Sequence, residues 1–165
     1  MSDYCVVLVN GIQARFLTLE PVDSPATQGG PNLKEREGLI NSEQNGHPGQ
    51  LWSDVKTGRN RTPGGGQAHG YDDHRAQHVD EFKRRFARNV ALAAARLVQH
   101  SGAKSVIVAA QKRMLGFLRN EIDPLLKTGV KVHPLAKDLS KLAPRELHQY
   151  LAKEKLLPPR KHPAA

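Results

Sequence analysis

Apolar and polar positions along the chain fall into patterns that predict its elements. Tyr4 to Val9 is a short apolar run that ends at Asn10-Gly11, a two-residue turn signal. Apolar residues resume at Ala14, Phe16, Leu17 and Leu19, so the two runs read as a β-hairpin. From Pro21 to Gly70 the pattern breaks up into apolar islands at Leu33, Leu39-Ile40 and Leu51-Trp52. Short strands and a functional or mobile loop are expected there, because a long structureless stretch is unusual in a compact domain.

Asp72 and Asp73 then open a helix that should run to about His100, with Gly102 placed to stop it. Val79, Phe82, Phe86, Val90, Ala93 and Leu97 recur at helical spacing and predict its core stripe. Arg84, Arg85, Arg88 and Arg96 fall on the other faces. Ser105 to Ala110 is a continuous apolar run, as in a strand covered on both faces. A helix begins near Met114 and carries Leu115, Leu118, Ile122 and Leu125 on one face. Val130 to Leu135 reads as a strand that Pro134 confines to an edge or an end. Pro144 suits the first turn of a last helix that turns Leu147, Tyr150 and Leu151 inward. The alternation predicts an α/β fold: a single domain over residues 1–155, with a mixed β-sheet flanked by helices. A long basic, glycine-rich loop at about 56–70 interrupts it, and residues 156–165 read as a disordered tail.

The 165 residues suffice for a core without staples, and no apolar run approaches a membrane span. The N-terminus has no signal-peptide pattern, so a cytoplasmic address without membrane partners is the expectation. Cys5, the single cysteine, lies in an apolar strand and reads as a small buried filler. The net charge of +9 is unevenly spread: −4 over residues 1–55, +5 over 56–100 and +8 over 101–165. That gradient turns the basic two-thirds toward a phosphate-rich partner or an anionic surface, or serves solubility alone. Aromatic residues are too sparse for a base-stacking platform.

Candidate chemistry concentrates in the loop Lys56 to Gln67, whose Lys56, Arg59 and Arg61 precede Gly64-Gly65-Gly66-Gln67. Glycines permit close backbone approach, and the cations suit RNA phosphates; a flexible surface connection is the plainer alternative. The arginine face of the long helix is either solvated surface or a phosphate-contacting rail. Lys112 and Arg113 lie where a buried strand ends and a helix starts, a place that can hold an anion or serve as a polar turn. His74 and His78 have metal-ligand spacing, but surface histidines at a helix start explain them without a metal. Neither a Walker loop nor a dinucleotide fingerprint occurs, and no cofactor is expected.

Several stretches together resemble the bacterial host attachment protein family. These are Cys5-Val-Val-Leu-Val-Asn-Gly-Ile-Gln-Ala-Arg-Phe16, Leu51-Trp-Ser-Asp54, and Phe82-Lys-Arg-Arg-Phe-Ala-Arg-Asn-Val-Ala91. Val106-Ile-Val-Ala-Ala110, Met114-Leu-Gly-Phe-Leu-Arg119 and Asp138-Leu-Ser-Lys-Leu-Ala-Pro-Arg-Glu-Leu147 complete the set, covering residues 4–152 in order. That family is in turn similar to the middle domain of archaeal and eukaryotic class-1 peptide-chain release factors. The resemblance implies a ribonuclease-H-like fold and a link to the ribosome or tRNA. Gly65, Gly66 and Gln67 match the release-factor catalytic tripeptide, which implies hydrolysis of stalled peptidyl-tRNA. In that reading the backbone N–H groups face the forming oxyanion and the Gln67 amide positions water. Lys56, Arg59, Arg61, Arg84, Arg85, Arg88, Lys112 and Arg113 would hold RNA. A non-catalytic ribosome-binding or stress factor, and a host-adhesion protein, are the alternative readings.

Overall fold

The computed structural model describes residues 2–41 and 68–163, with 68–76 by backbone alone. Its elements run β1 (Tyr4–Val9), β2 (Gln13–Glu20), β3 (Asn32–Glu35), β4 (Leu39–Ile40), α1 (Ala68–Ser101), β5 (Ser105–Ala109), α2 (Lys112–Ile122), β6 (Lys131–Leu135) and α3 (Pro144–Lys153). A 3₁₀ turn, Asp123–Leu125, follows α2. The strands form one mixed sheet in the order β3-β2-β1-β5-β6, with β4 pairing β2. β1, β2 and β3 are antiparallel, whereas β5 and β6 run parallel to β1. The expected α/β architecture, a mixed sheet with flanking helices, is what the chain adopts.

Strand periodicity divides the core in two. Cys5, Val7, Val9, Phe16, Val106 and Val108 point to one face, where α1 and α2 cover them. Val6, Leu8, Leu17, Leu19, Ile107 and Ala109 point to the other, toward α3 and the segment after it. The β1–β2 turn is held by Asn10, whose Oδ1 accepts the backbone N–H of Ile12 and of Gln13, each at 2.8 Å. α1 stops where Gly102 takes φ 75°, a backbone conformation costly to residues with a Cβ, and its N–H reaches Val98 O at 2.9 Å. β6 lies at the sheet edge, where Pro134 has no ladder hydrogen bond to forfeit.

Two sequence expectations need correction. The buried line of α1 is Phe86, Ala87, Val90, Ala91, Ala94 and Val98, not the full stripe of larger residues. Val79 is exposed, and Phe82, Ala93 and Leu97 are half-buried. Three alanines, Ala87, Ala91 and Ala94, share this line with Phe86, Val90 and Val98 in the core cluster beneath α1 and α2. Leu125, placed on the inner face of α2 by periodicity, is exposed because the chain leaves the helix at Asp123.

Residues 156–163 do not trail away. Leu157 is buried in the α3-side core, and Lys161 pairs with Gly30 through two backbone hydrogen bonds of 3.0 and 2.8 Å. Arg160 Nε donates to Asn32 Oδ1 at 2.5 Å. Prolines and charges suggested disorder, but the burial of Leu157 and the new backbone partners offset the entropy of ordering the segment.

Candidate nucleic-acid interface

α1 and α2 pack side by side on one face of the sheet, sharing the core cluster that contains Phe86, Val90, Leu115 and Leu118. Their outer surfaces adjoin. Arg113, in the first turn of α2, meets Asp80 of α1: Nε donates to Oδ1 at 3.0 Å and Nη2 donates to Oδ2. One turn further along both helices, the Arg84 guanidinium lies 5.3 Å from the centroid of the Phe117 ring. These two contacts form successive rungs across the α1–α2 groove, because Asp80/Arg84 and Arg113/Phe117 are each four residues apart.

Arg84, Arg85, Arg88, Lys112 and Arg113 are all exposed on these helices. Glu81 lies 4.0 Å from Arg84 and 3.5 Å from Arg85, and the Arg85 guanidinium also lies 5.9 Å from the Phe82 ring centroid. Exposed ion pairs of this kind contribute little to stability. Arg84 and Arg88 are one helical turn apart, about 6 Å along the axis. Among the described residues here, Arg84, Arg85, Arg88, Lys112 and Arg113 are joined by the half-buried Lys83, with the carboxylates of Asp80 and Glu81 beside them. The Arg113 hydrogen bonds, with help from the nearby charges of Lys83 and Arg84, hold the Asp80 carboxyl below its ordinary range. The same pairing raises Arg113, so this cation stays charged and fixed at the head of α2.

The structure therefore brings five of the sequence-predicted RNA-binding residues onto two adjoining helices. Lys56, Arg59, Arg61 and the tripeptide Gly65, Gly66 and Gln67 lie outside the described residues. Gln67 immediately precedes Ala68, the first residue of α1. His78 is exposed and packs against Phe82, with ring centroids 5.9 Å apart. Among the described residues, no three His, Cys, Asp or Glu side chains converge as a metal site. No helix among them is long and apolar enough to cross a membrane. Cys5 is fully buried, and burial pushes its thiol up from the ordinary value, as suits a core filler rather than a nucleophile.

One network escaped sequence reasoning. Asp138 Oδ1 accepts from Ser140 N at 3.0 Å and from Ser140 Oγ at 2.5 Å. Asn10 Nδ2 reaches the same Ser140 Oγ at 3.2 Å, and Arg15 Nη1 donates to the carbonyls of Ser140 and Leu142 at 2.8 and 2.7 Å. Arg15 also holds Glu35 through Nε at 3.0 Å and Nη2 at 2.5 Å. Asn10, Arg15 and the Asp138-Leu-Ser-Lys-Leu stretch thus fasten the α3 entry loop to the β1–β2 hairpin. Their pairing spans more than a hundred residues, and no local pattern announces it.

A model of the family described as "Protein required for attachment to host cells" matches residues 5–151. Among curated proteins none matches the chain. A solved structure described as an archaeal protein is similar at 16% identity with a TM-score of 0.38. That match covers 93% of this chain, which spans 34% of the archaeal protein's length.

Proposed function

The chain belongs to the family of proteins required for attachment to host cells, and from that premise we propose that it is a release-factor-like RNA-binding member. It docks on phosphates of tRNA or of the ribosome through the exposed faces of α1 and α2. The observation that carries this reading is the juxtaposition of Arg84, Arg85 and Arg88 with Lys112 and Arg113 on two adjoining helices. Each phosphate they neutralise releases counterions, which makes the binding steeply salt-dependent.

The same proposal assigns the loop its chemistry. Gly65 and Gly66 admit the backbone to a narrow site, and Gln67 positions a water against the ester carbonyl of peptidyl-tRNA. The water oxygen bonds to the carbonyl carbon, backbone N–H groups stabilise the tetrahedral oxyanion, and the bond to the ribose oxygen breaks as that oxygen takes the proton the water gives up. What supports this step is the order Gly-Gly-Gln followed at once by α1, the helix that bears the arginines. Lys56, Arg59 and Arg61, which precede the tripeptide in the sequence, are assigned to RNA phosphates in the same proposal.

Release of labelled peptide from stalled ribosomes, by wild type and by Gln67→Ala, tests the hydrolytic step. Co-sedimentation with ribosomes across a salt series tests the docking step. Release by wild type alone supports both steps. Salt-sensitive binding without release leaves a non-catalytic ribosome-binding factor. The family description favours a second reading, adhesion to a host surface, and absence of any salt-sensitive RNA binding would decide for it.

A further inference from the structure

A second basic site lies on the opposite face of the sheet, where α3, the segment after it and the turn before β3 border an open hollow of about 650 Å³. Its walls include Arg145, His148 and Gln149 of α3, Arg160 and His162 of the final segment, and the backbone of Gly29. Among the described residues, no acidic side chain lines it. The volume falls within the range of small-molecule sites, well beyond what a lone inorganic ion needs.

The donors there are only partly used. Arg160 spends Nε on Asn32 Oδ1 at 2.5 Å and Nη2 on Gly29 O at 3.2 Å, and among the described residues its Nη1 amino group has no acceptor. Those two bonds also fix the guanidinium in place, so less side-chain freedom is lost when an anion arrives. Arg145 is exposed and has no carboxylate partner among the described residues. His148 is 2% exposed, and its Nε2 lies 2.7 Å from Pro158 O. A carbonyl only accepts, so Nε2 carries the hydrogen of that bond. Nδ1 is buried with no hydrogen-bond partner among the described residues, which is costly.

We propose that this hollow binds the phosphate group of a small organic phosphate, a sugar phosphate or a mononucleotide, between Arg145 and the Nη1 edge of Arg160. Paired guanidinium groups suit phosphate oxygens through charge-assisted hydrogen bonds. The remaining space accommodates the organic part, with Gln149 and His162 available to its hydroxyl groups. The site shares no residue with the α1–α2 surface and does not depend on RNA binding.

The test follows the histidine ring resonances of the full chain by NMR during titration with ribose 5-phosphate, with adenosine monophosphate and with inorganic phosphate, at constant ionic strength. The expected result is saturable movement of the His148 and His162 signals by an organic phosphate, tighter than by inorganic phosphate. Equal affinity for both organic ligands assigns recognition to the sugar phosphate, and tighter binding of the nucleotide adds the base. Arg145→Ala, a change at an exposed position, should weaken binding about tenfold, as loss of a charge-assisted bond predicts. The double variant Arg84→Gln/Arg88→Gln should leave it unchanged. Unsaturable shifts, equal binding of inorganic phosphate, or unaltered affinity in Arg145→Ala would overturn the proposal.

Discussion

Arg113 of α2 grips Asp80 of α1 with both arms of its guanidinium, Nε to Oδ1 at 3.0 Å and Nη2 to Oδ2. The pair sits at the exposed edge of the α1–α2 groove, and its carboxylate offsets a cation in the proposed RNA surface. Asp80→Asn should therefore leave the fold intact and tighten RNA binding by about twofold to threefold, with a steeper salt dependence. Filter binding of tRNA across a salt series reads this. Weaker binding by Asp80→Asn would mean that Arg113 must be held in place to act.

Arg84 is held more loosely than Arg113, by a 4.0 Å ion pair to Glu81, and Arg88 is exposed one turn further along α1. Replacing both with glutamine should lower the slope of log affinity against log salt by up to about 2, close to one unit for each phosphate no longer neutralised. Thermal stability should scarcely change, because both side chains are exposed and the Glu81 ion pair of Arg84 is long. An unchanged slope would remove these arginines from the interface.

Glu20 gives a pH dependence with a definite sign. Ser2 Oγ donates to its Oε1 at 2.7 Å, Thr18 Oγ1 at 2.9 Å and Arg36 Nη2 at 2.6 Å. The Ser2 bond above all, joined by Thr18 and Arg36 against the opposing effect of burial, lowers the carboxyl from 4.5 to about 2. A depressed carboxyl stabilises the fold above its unfolded value and loses that contribution as the pH falls toward its folded value. Glu20→Gln should thus be less stable than wild type at neutral pH, and the gap should close between pH 4.5 and about 2. Urea denaturation at both ends of that window measures it; a gap independent of pH would assign the loss to packing alone.

Leu157 tests whether the final segment belongs to the fold. It is 4% exposed in the α3-side core, and Leu157→Ala should cost about 2–4 kcal/mol in denaturant unfolding. A cost of less than about 0.5 kcal/mol, the range of ordinary surface changes, would return the segment to the status of a loose tail.

Much of the architecture is local in origin and readable in the chain. The β1–β2 hairpin follows from an apolar run, Asn10-Gly11 and a second run, and Asn10 acts in the turn as that signal implies. The start of α3 at Pro144, the stop of α1 at Gly102 and the edge position of Pro134 rest on backbone limits that each residue carries with it. Exposure of Arg84, Arg85 and Arg88 follows from their angular distance from Phe86 and Val90 on one helix. Tertiary structure decided the rest. Helical periodicity gives the angle of Val79 and Ala87 around α1, but not which stretch of the helix the rest of the chain covers; Val79 is exposed and Ala87 is completely buried. The meeting of Arg113 with Asp80, of Arg15 with the Asp138–Leu142 loop, and of Arg160 with Asn32 depends on segments brought together by burial of the two sheet faces. Hydrophobic alternation is written residue by residue, whereas a polar contact between distant segments exists only once the sheet order has placed them within hydrogen-bond reach.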